Sequence, residues 1–158
     1  MPILKGSGAT PLAAAGIASL VGIFSIIGRL GTGFLLDRFP AHLVGAAAFL
    51  LPIIGSVLLL MAGTDPIGQA LAAAAFGLTL GSEVDVVGYL AAKHFGLKNF
   101  GSLYGAMVMA LAVGTAFGPL AAGAVFDHNH SYAPFLMLTM VMAAVSALAL
   151  ISLGQTER

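Results

Sequence analysis

Runs of apolar residues, each about as long as a bilayer is thick, alternate with short polar punctuation along the whole chain. A helix needs roughly 20 apolar residues to cross the hydrocarbon core, and five segments qualify: residues 10–36, 41–62, 66–92, 99–126 and 132–153. The breaks between them carry turn chemistry: Asp37-Arg38-Phe39-Pro40, Gly63-Thr64-Asp65-Pro66, Lys93-His94-Phe95-Gly96-Leu97-Lys98-Asn99 and Asp127-His128-Asn129-His130-Ser131. Asp65 ahead of Pro66 reads as an N-cap followed by proline at the first helical position. Period-two alternation is absent, which argues against a membrane barrel. The pattern predicts an all-α membrane protein of five transmembrane helices.

Composition agrees with that reading. Hydrophobic residues make up 59% of the 158 positions and charged ones 8%, and the mean hydropathy is +1.05, well outside the balance of a soluble domain. Six basic and six acidic residues cancel, and no basic patch points to nucleic acid. With no cysteine there is no disulfide framework or thiolate metal site. Residues 1–10 lack the basic region, short apolar core and cleavage site of a signal peptide, so the spans themselves are expected to direct insertion. Alternating loops put Arg38, Lys93, Lys98 and Arg158 on one face and Lys5 on the other. This bias predicts a cytoplasmic C-terminus and an outer N-terminus.

Charges inside the spans carry the functional signal. Arg29 is the only charged residue between Gly6 and Leu36, about 12 Å along the helix axis from Asp37. A guanidinium at that depth is costly in hydrocarbon and belongs in a protein interior or a watery cavity. Its planar fork suits a carboxylate, so Arg29 is a candidate anion-binding residue; a snorkelling side chain or a buried ion pair is the bland alternative. Ser25, one turn earlier on the same face, adds a hydroxyl.

Glu83 and Asp85 are the other intramembrane charges, with Glu83 about 15 Å from the Lys93 end of its span. Two residues apart, they project roughly 200° from one another on a helix, so at most one should face a central cavity. Either is a candidate proton-coupling carboxylate, or else a scaffold group hydrogen-bonded to a neighbouring helix. Tyr89 and Tyr104 are candidate cavity residues, with interface anchoring as the other explanation.

Asp127, His128 and His130 have metal-ligating side chains, but two histidines in a turn read as solvated, and no metal or other cofactor is expected. The chain has 21 glycines. Ala74, Gly77, Gly81, Gly88 and Ala92 fall on one face of the third span together with Asp85, a stripe that reads as a packing seam. No nucleophile, base and orienting partner stand at usable spacing, so enzymatic activity is not expected. Nothing in the pattern suggests the re-entrant filter of a channel.

The first and fourth spans also share a pattern: Gly28-x-Leu30-x-x-Gly33-x-x-x-Asp37 matches Gly118-x-Leu120-x-x-Gly123-x-x-x-Asp127, ninety positions on. The two helices run in opposite directions across the membrane, as in an inverted-topology repeat.

Gly33-Phe34-Leu35-Leu36-Asp37-Arg38 resembles the cytoplasmic loop signature of the major facilitator superfamily. Together with the stretches at 28–39 and 100–105 and with Gly118-Pro119, it resembles the monocarboxylate transporter-like branch and its bacterial relatives, over nearly the whole chain. The resemblance implies that the five spans are the last five helices of twelve. It makes Gly33, Asp37 and Arg38 a gating loop, with Asp37 capping or pairing with a neighbouring helix end. It also places the protein in a bacterial inner membrane.

In that branch an arginine of the eighth helix holds the substrate carboxylate, and Arg29 stands at the matching place. Monocarboxylate carriers also have an aspartate one turn earlier, where this chain has Ser25, which leaves Glu83 or Asp85 as substitutes. Related oxalate and formate exchangers use a second cation on the eleventh helix. The fourth span has no Lys or Arg, which favours a monoanion.

The leading expectation is therefore part of a secondary active transporter for small organic anions, monocarboxylates foremost and proton-coupled, which alternates access once joined to a missing N-terminal half. The other expectation is a non-transporting membrane remnant, or a protein that associates with others through its glycine faces.

Overall fold

Residues 11–63 and 65–155 are described by the computed structural model, so readings that rest on residues 1–10, Thr64 and Arg158 lie outside it. Five helices follow one another: α1, Pro11–Leu36; α2, Ala41–Ala62; α3, Pro66–Gly96, and α4, Lys98–Asn129; and α5, Ala133–Gln155. Each holds a stretch long and apolar enough to cross a membrane, and the protein is an integral membrane protein of all-α class.

The ends of these helices follow from local chemistry. Asp65 has extended angles and its Oδ2 accepts the Gly68 N–H at 2.9 Å, with Pro66 opening α3 behind it. Asp65→Ala should therefore cost about 1 kcal/mol, visible as a lower thermal unfolding midpoint in detergent. Gly63 ends α2 at φ 52°, and its carbonyl accepts the Gln69 side-chain amide at 2.9 Å.

The seven-residue break expected at 93–99 is much shorter. Helical structure continues through Lys93, His94 and Phe95, which are compatible with a helix, and the kink falls on Gly96 at φ 69°. A residue without a Cβ adopts that angle freely. At the far end α4 runs on to Asn129, and His130 closes it in the left-handed region, its N–H bonded to the Phe126 carbonyl at 2.7 Å.

Glycines set the packing. α1 and α3 run parallel and nearly touch: a Cβ at Gly77 would lie 2.6 Å from the Val21 carbonyl oxygen and 2.8 Å from Phe24 Cβ. One at Gly81 would run into the Ser25 carbonyl and lie 2.7 Å from the Arg29 nitrogen, and one at Gly28 would strike the Leu78 backbone. Small residues let membrane helices approach this closely, and the approach is held by dispersion and interhelical hydrogen bonds. The buried Thr32 hydroxyl supplies such a bond, donating to Ser82 Oγ at 2.6 Å, while Ser82 donates to the Leu78 carbonyl at 2.7 Å.

α3 also packs on α2, where Gly55 admits the Phe76 ring and the buried Thr79 hydroxyl is shared between the Ala75 and Ala48 carbonyls. α2 reaches in turn to α5, with Gly45 facing both Val86 and Leu150. α4 stands apart. None of the most apolar stretch of α4 is buried; near its start, Tyr104 covers Gly88 of α3.

Candidate functional site

The glycine crossing decides where the charges go. Because Gly81 draws the α1 backbone at Ser25 and Arg29 against α3, Asp85, one turn further along α3, comes within reach of Arg29. The Arg29 Nε stands 3.8 Å from Asp85 Oδ1, with the arginine side chain 58% exposed and the aspartate 31%. That is an ion pair but not a hydrogen bond, which for N–H to oxygen runs to about 3.2 Å. Among the described residues no hydrogen bond holds the guanidinium, so its fork of five donors is uncommitted.

Asp85 also opens onto a cleft of about 440 Å³ where α1, α3 and α4 meet, lined by Gly33, Asp37, Tyr89, Phe100 and Tyr104 among others. Tyr104 stacks on Phe100, ring centroids 5.2 Å apart. Both candidate tyrosines and the loop aspartate therefore gather around one carboxylate, with Arg29 one ion pair away. Ser25 is half-buried at the crossing.

Glu83 is elsewhere. It lines a second, larger groove of about 1030 Å³ that opens between α3, α4 and α5, with Thr79 and Tyr104 near it. The roughly half-turn between the two carboxylates thus sends them to different cavities, which adjoin at Val84 and Tyr104.

The loop residues are exposed. Arg38 lies over the Phe34 ring at 4.3 Å, a cation–π contact that fixes the guanidinium at the helix end. α2 begins behind Pro40 without a side-chain cap, so Asp37 does not cap it; proline sets the entry instead, and the aspartate faces the smaller cleft. A Cβ at Gly33 would meet nothing within 4 Å, so Gly33→Ala should leave the unfolding free energy within about 0.5 kcal/mol of the parent.

The sequence did not show that Arg29 and Asp85 are partners. The signal was present in two spacings, Ser25, Gly28 and Arg29 on α1 and Gly77, Gly81 and Asp85 on α3, each a small-residue face ending in a charge. What remained invisible was that the two faces meet.

Five membrane-crossing helices, joined by glycine seams around an intramembrane arginine–aspartate pair, define a polytopic domain of transporter type. The family model described as the Major Facilitator Superfamily matches residues 1–158, and the chain belongs to that superfamily. No curated protein and no solved structure matches it.

Proposed function

We propose that this chain forms the C-terminal part of a secondary transporter for small organic anions, monocarboxylates foremost, which alternates access when joined to an N-terminal half in a bacterial inner membrane. The observation that carries the reading is the uncommitted guanidinium of Arg29, loosely balanced by Asp85 at 3.8 Å. An arginine satisfied by hydrogen bonds would be scaffold. One held only by a distant carboxylate is open to a second anion, which it can grip bidentately.

Asp85 supplies the link to protons. In the branch that this sequence resembles, the arginine's acidic companion sits one turn earlier on the same helix, where this chain has Ser25. Here a carboxylate approaches the arginine from α3 instead. Ionised, Asp85 competes with substrate for Arg29; protonated, it releases the guanidinium to the incoming carboxylate, to which Ser25 adds a hydroxyl. Tyr89, Tyr104 and Asp37 line the cleft through which the aspartate reaches water, and Asp37 with Gly33 and Arg38 forms the cytoplasmic gate.

Two measurements test this reading. The first is thermal stabilisation of the chain, joined to an N-terminal half, by a panel of small carboxylates. Monocarboxylates should raise the unfolding midpoint and cations should not; stabilisation by cations alone would refute the anion site. The second is uptake against pH. The parent should transport faster as pH falls, Asp85→Asn should lose that slope, and Glu83→Gln should keep it. Absence of saturable uptake from the joined protein would favour a non-transporting remnant.

A further inference from the structure

We propose that Thr32 and Ser82 are positioning residues for the anion site. Their hydrogen bond sets the spacing of α1 and α3 where Arg29 reaches Asp85, and so keeps the aspartate near enough to compete for the guanidinium without bonding it. The four residues form two rungs between the same two helices. Arg29 and Thr32 stand three apart on α1, and Ser82 and Asp85 three apart on α3, the spacing of neighbours on one helix face.

The rungs differ in kind. In the first, Thr32 and Ser82 are each 4% exposed, and the Thr32 hydroxyl donates to Ser82 Oγ at 2.6 Å. Ser82 donates in turn to the Leu78 carbonyl at 2.7 Å, which turns its lone pairs toward the threonine. In the second, the charges stand 3.8 Å apart and half in the open. A short buried bond holds its geometry, whereas a long exposed ion pair contributes little and follows its surroundings.

The first rung lies along the path of the second. The Arg29 backbone is level with Gly81, whose Cβ would lie 2.7 Å from the Arg29 nitrogen. Its charge meets Asp85, four residues and about 6 Å further along α3. The arginine stem therefore runs past the level of the Thr32–Ser82 bond, and the distance between the charges depends on how far apart the helices stand there. The other ionisable groups around Asp85 are Asp37, just beyond α1, Tyr89 on α3 itself and Tyr104 from α4. All three stay in place when a hydroxyl of the first rung is removed.

The purpose of this clamp rests on the proposed anion site, but its geometry does not, so the first test uses the 158-residue chain alone. Phenylglyoxal, which attacks guanidinium groups, is applied in detergent at alkaline pH, and mass spectrometry follows modification of Arg29 relative to Arg38. A partly exposed ion pair shifts an equilibrium by up to about fivefold, so Asp85→Asn should raise the Arg29-to-Arg38 rate ratio by up to that factor. Thr32→Val and Ser82→Ala should each give most of that rise, and Thr32→Ser should keep the parent ratio. In the Asp85→Asn background neither hydroxyl variant should add to it. Variants on two helices guard against one failing to fold.

No rise in Asp85→Asn, or none in both hydroxyl variants, would overturn the inference. So would equal rises with and without Asp85, which is what plain loosening of the helices gives. In the joined transporter both hydroxyl variants should flatten the pH slope of uptake as Asp85→Asn does. A parent-like slope would overturn the clamp's role and leave the anion site, which Arg29→Ala tests, intact.

Discussion

Arg29→Ala, made in the joined transporter, should abolish carboxylate uptake while the protein still inserts and purifies normally. Removing one member of a charge pair that grips a ligand costs on the order of 2–5 kcal/mol, so uptake at subsaturating substrate should fall by about thirtyfold to several thousandfold. Insertion should survive because the Arg29–Asp85 contact is loose and half in the open, and such pairs add little to stability. Arg29→Lys separates charge from geometry. An ammonium preserves the balance with Asp85 but not the bidentate fork, so it should retain a small residual uptake with a raised KM. Normal uptake by Arg29→Ala would remove the anion site altogether.

Gly81→Ala should be the most damaging small change in the fold. Its new methyl would meet the Ser25 carbonyl and the Arg29 nitrogen, both of them backbone, and neither can rotate away as a side chain would. The helices must then separate. Overpacking of this kind costs about 1–3 kcal/mol or more, and separation also weakens the Thr32–Ser82 bond and carries Arg29 away from Asp85. The expected result is a clear fall in the unfolding midpoint in detergent together with reduced uptake. Gly31→Ala, on the same crossing helix but with nothing within 4 Å, is the matched control and should change neither. Equal stability of the two variants would mean that α1 and α3 do not cross here.

The depth of a charge was legible in the sequence, and its partner was not. That Arg29 lies far inside a span follows from counting residues to Asp37, and that Glu83 and Asp85 cannot act side by side follows from helical geometry. Gly77 and Gly81 could be read as a packing seam because small residues at helical spacing have few other uses in lipid. The polar residues around Gly96 suit a turn and a helix end equally well, so the sequence predicts a longer loop where the structure has a kink. Of the two roles that the resemblance implies for Asp37, capping or pairing with a neighbouring helix end, the structure excludes only the capping of α2, whose start Pro40 sets.

The sequence by itself determined the class of this protein: apolar runs of bilayer length force backbone hydrogen bonds to be satisfied within helices, and the loop and helix motifs point to the superfamily. It also carries a matching glycine–leucine–aspartate pattern in the first and fourth spans, ninety positions apart. Only the tertiary structure decided that Asp85 turns to Arg29 while Glu83 lines a different cavity. The physical reason is that helix periodicity fixes where a side chain points relative to its own axis. Which helix lies opposite is set by contacts about fifty positions apart in the chain, as between Thr32 and Ser82.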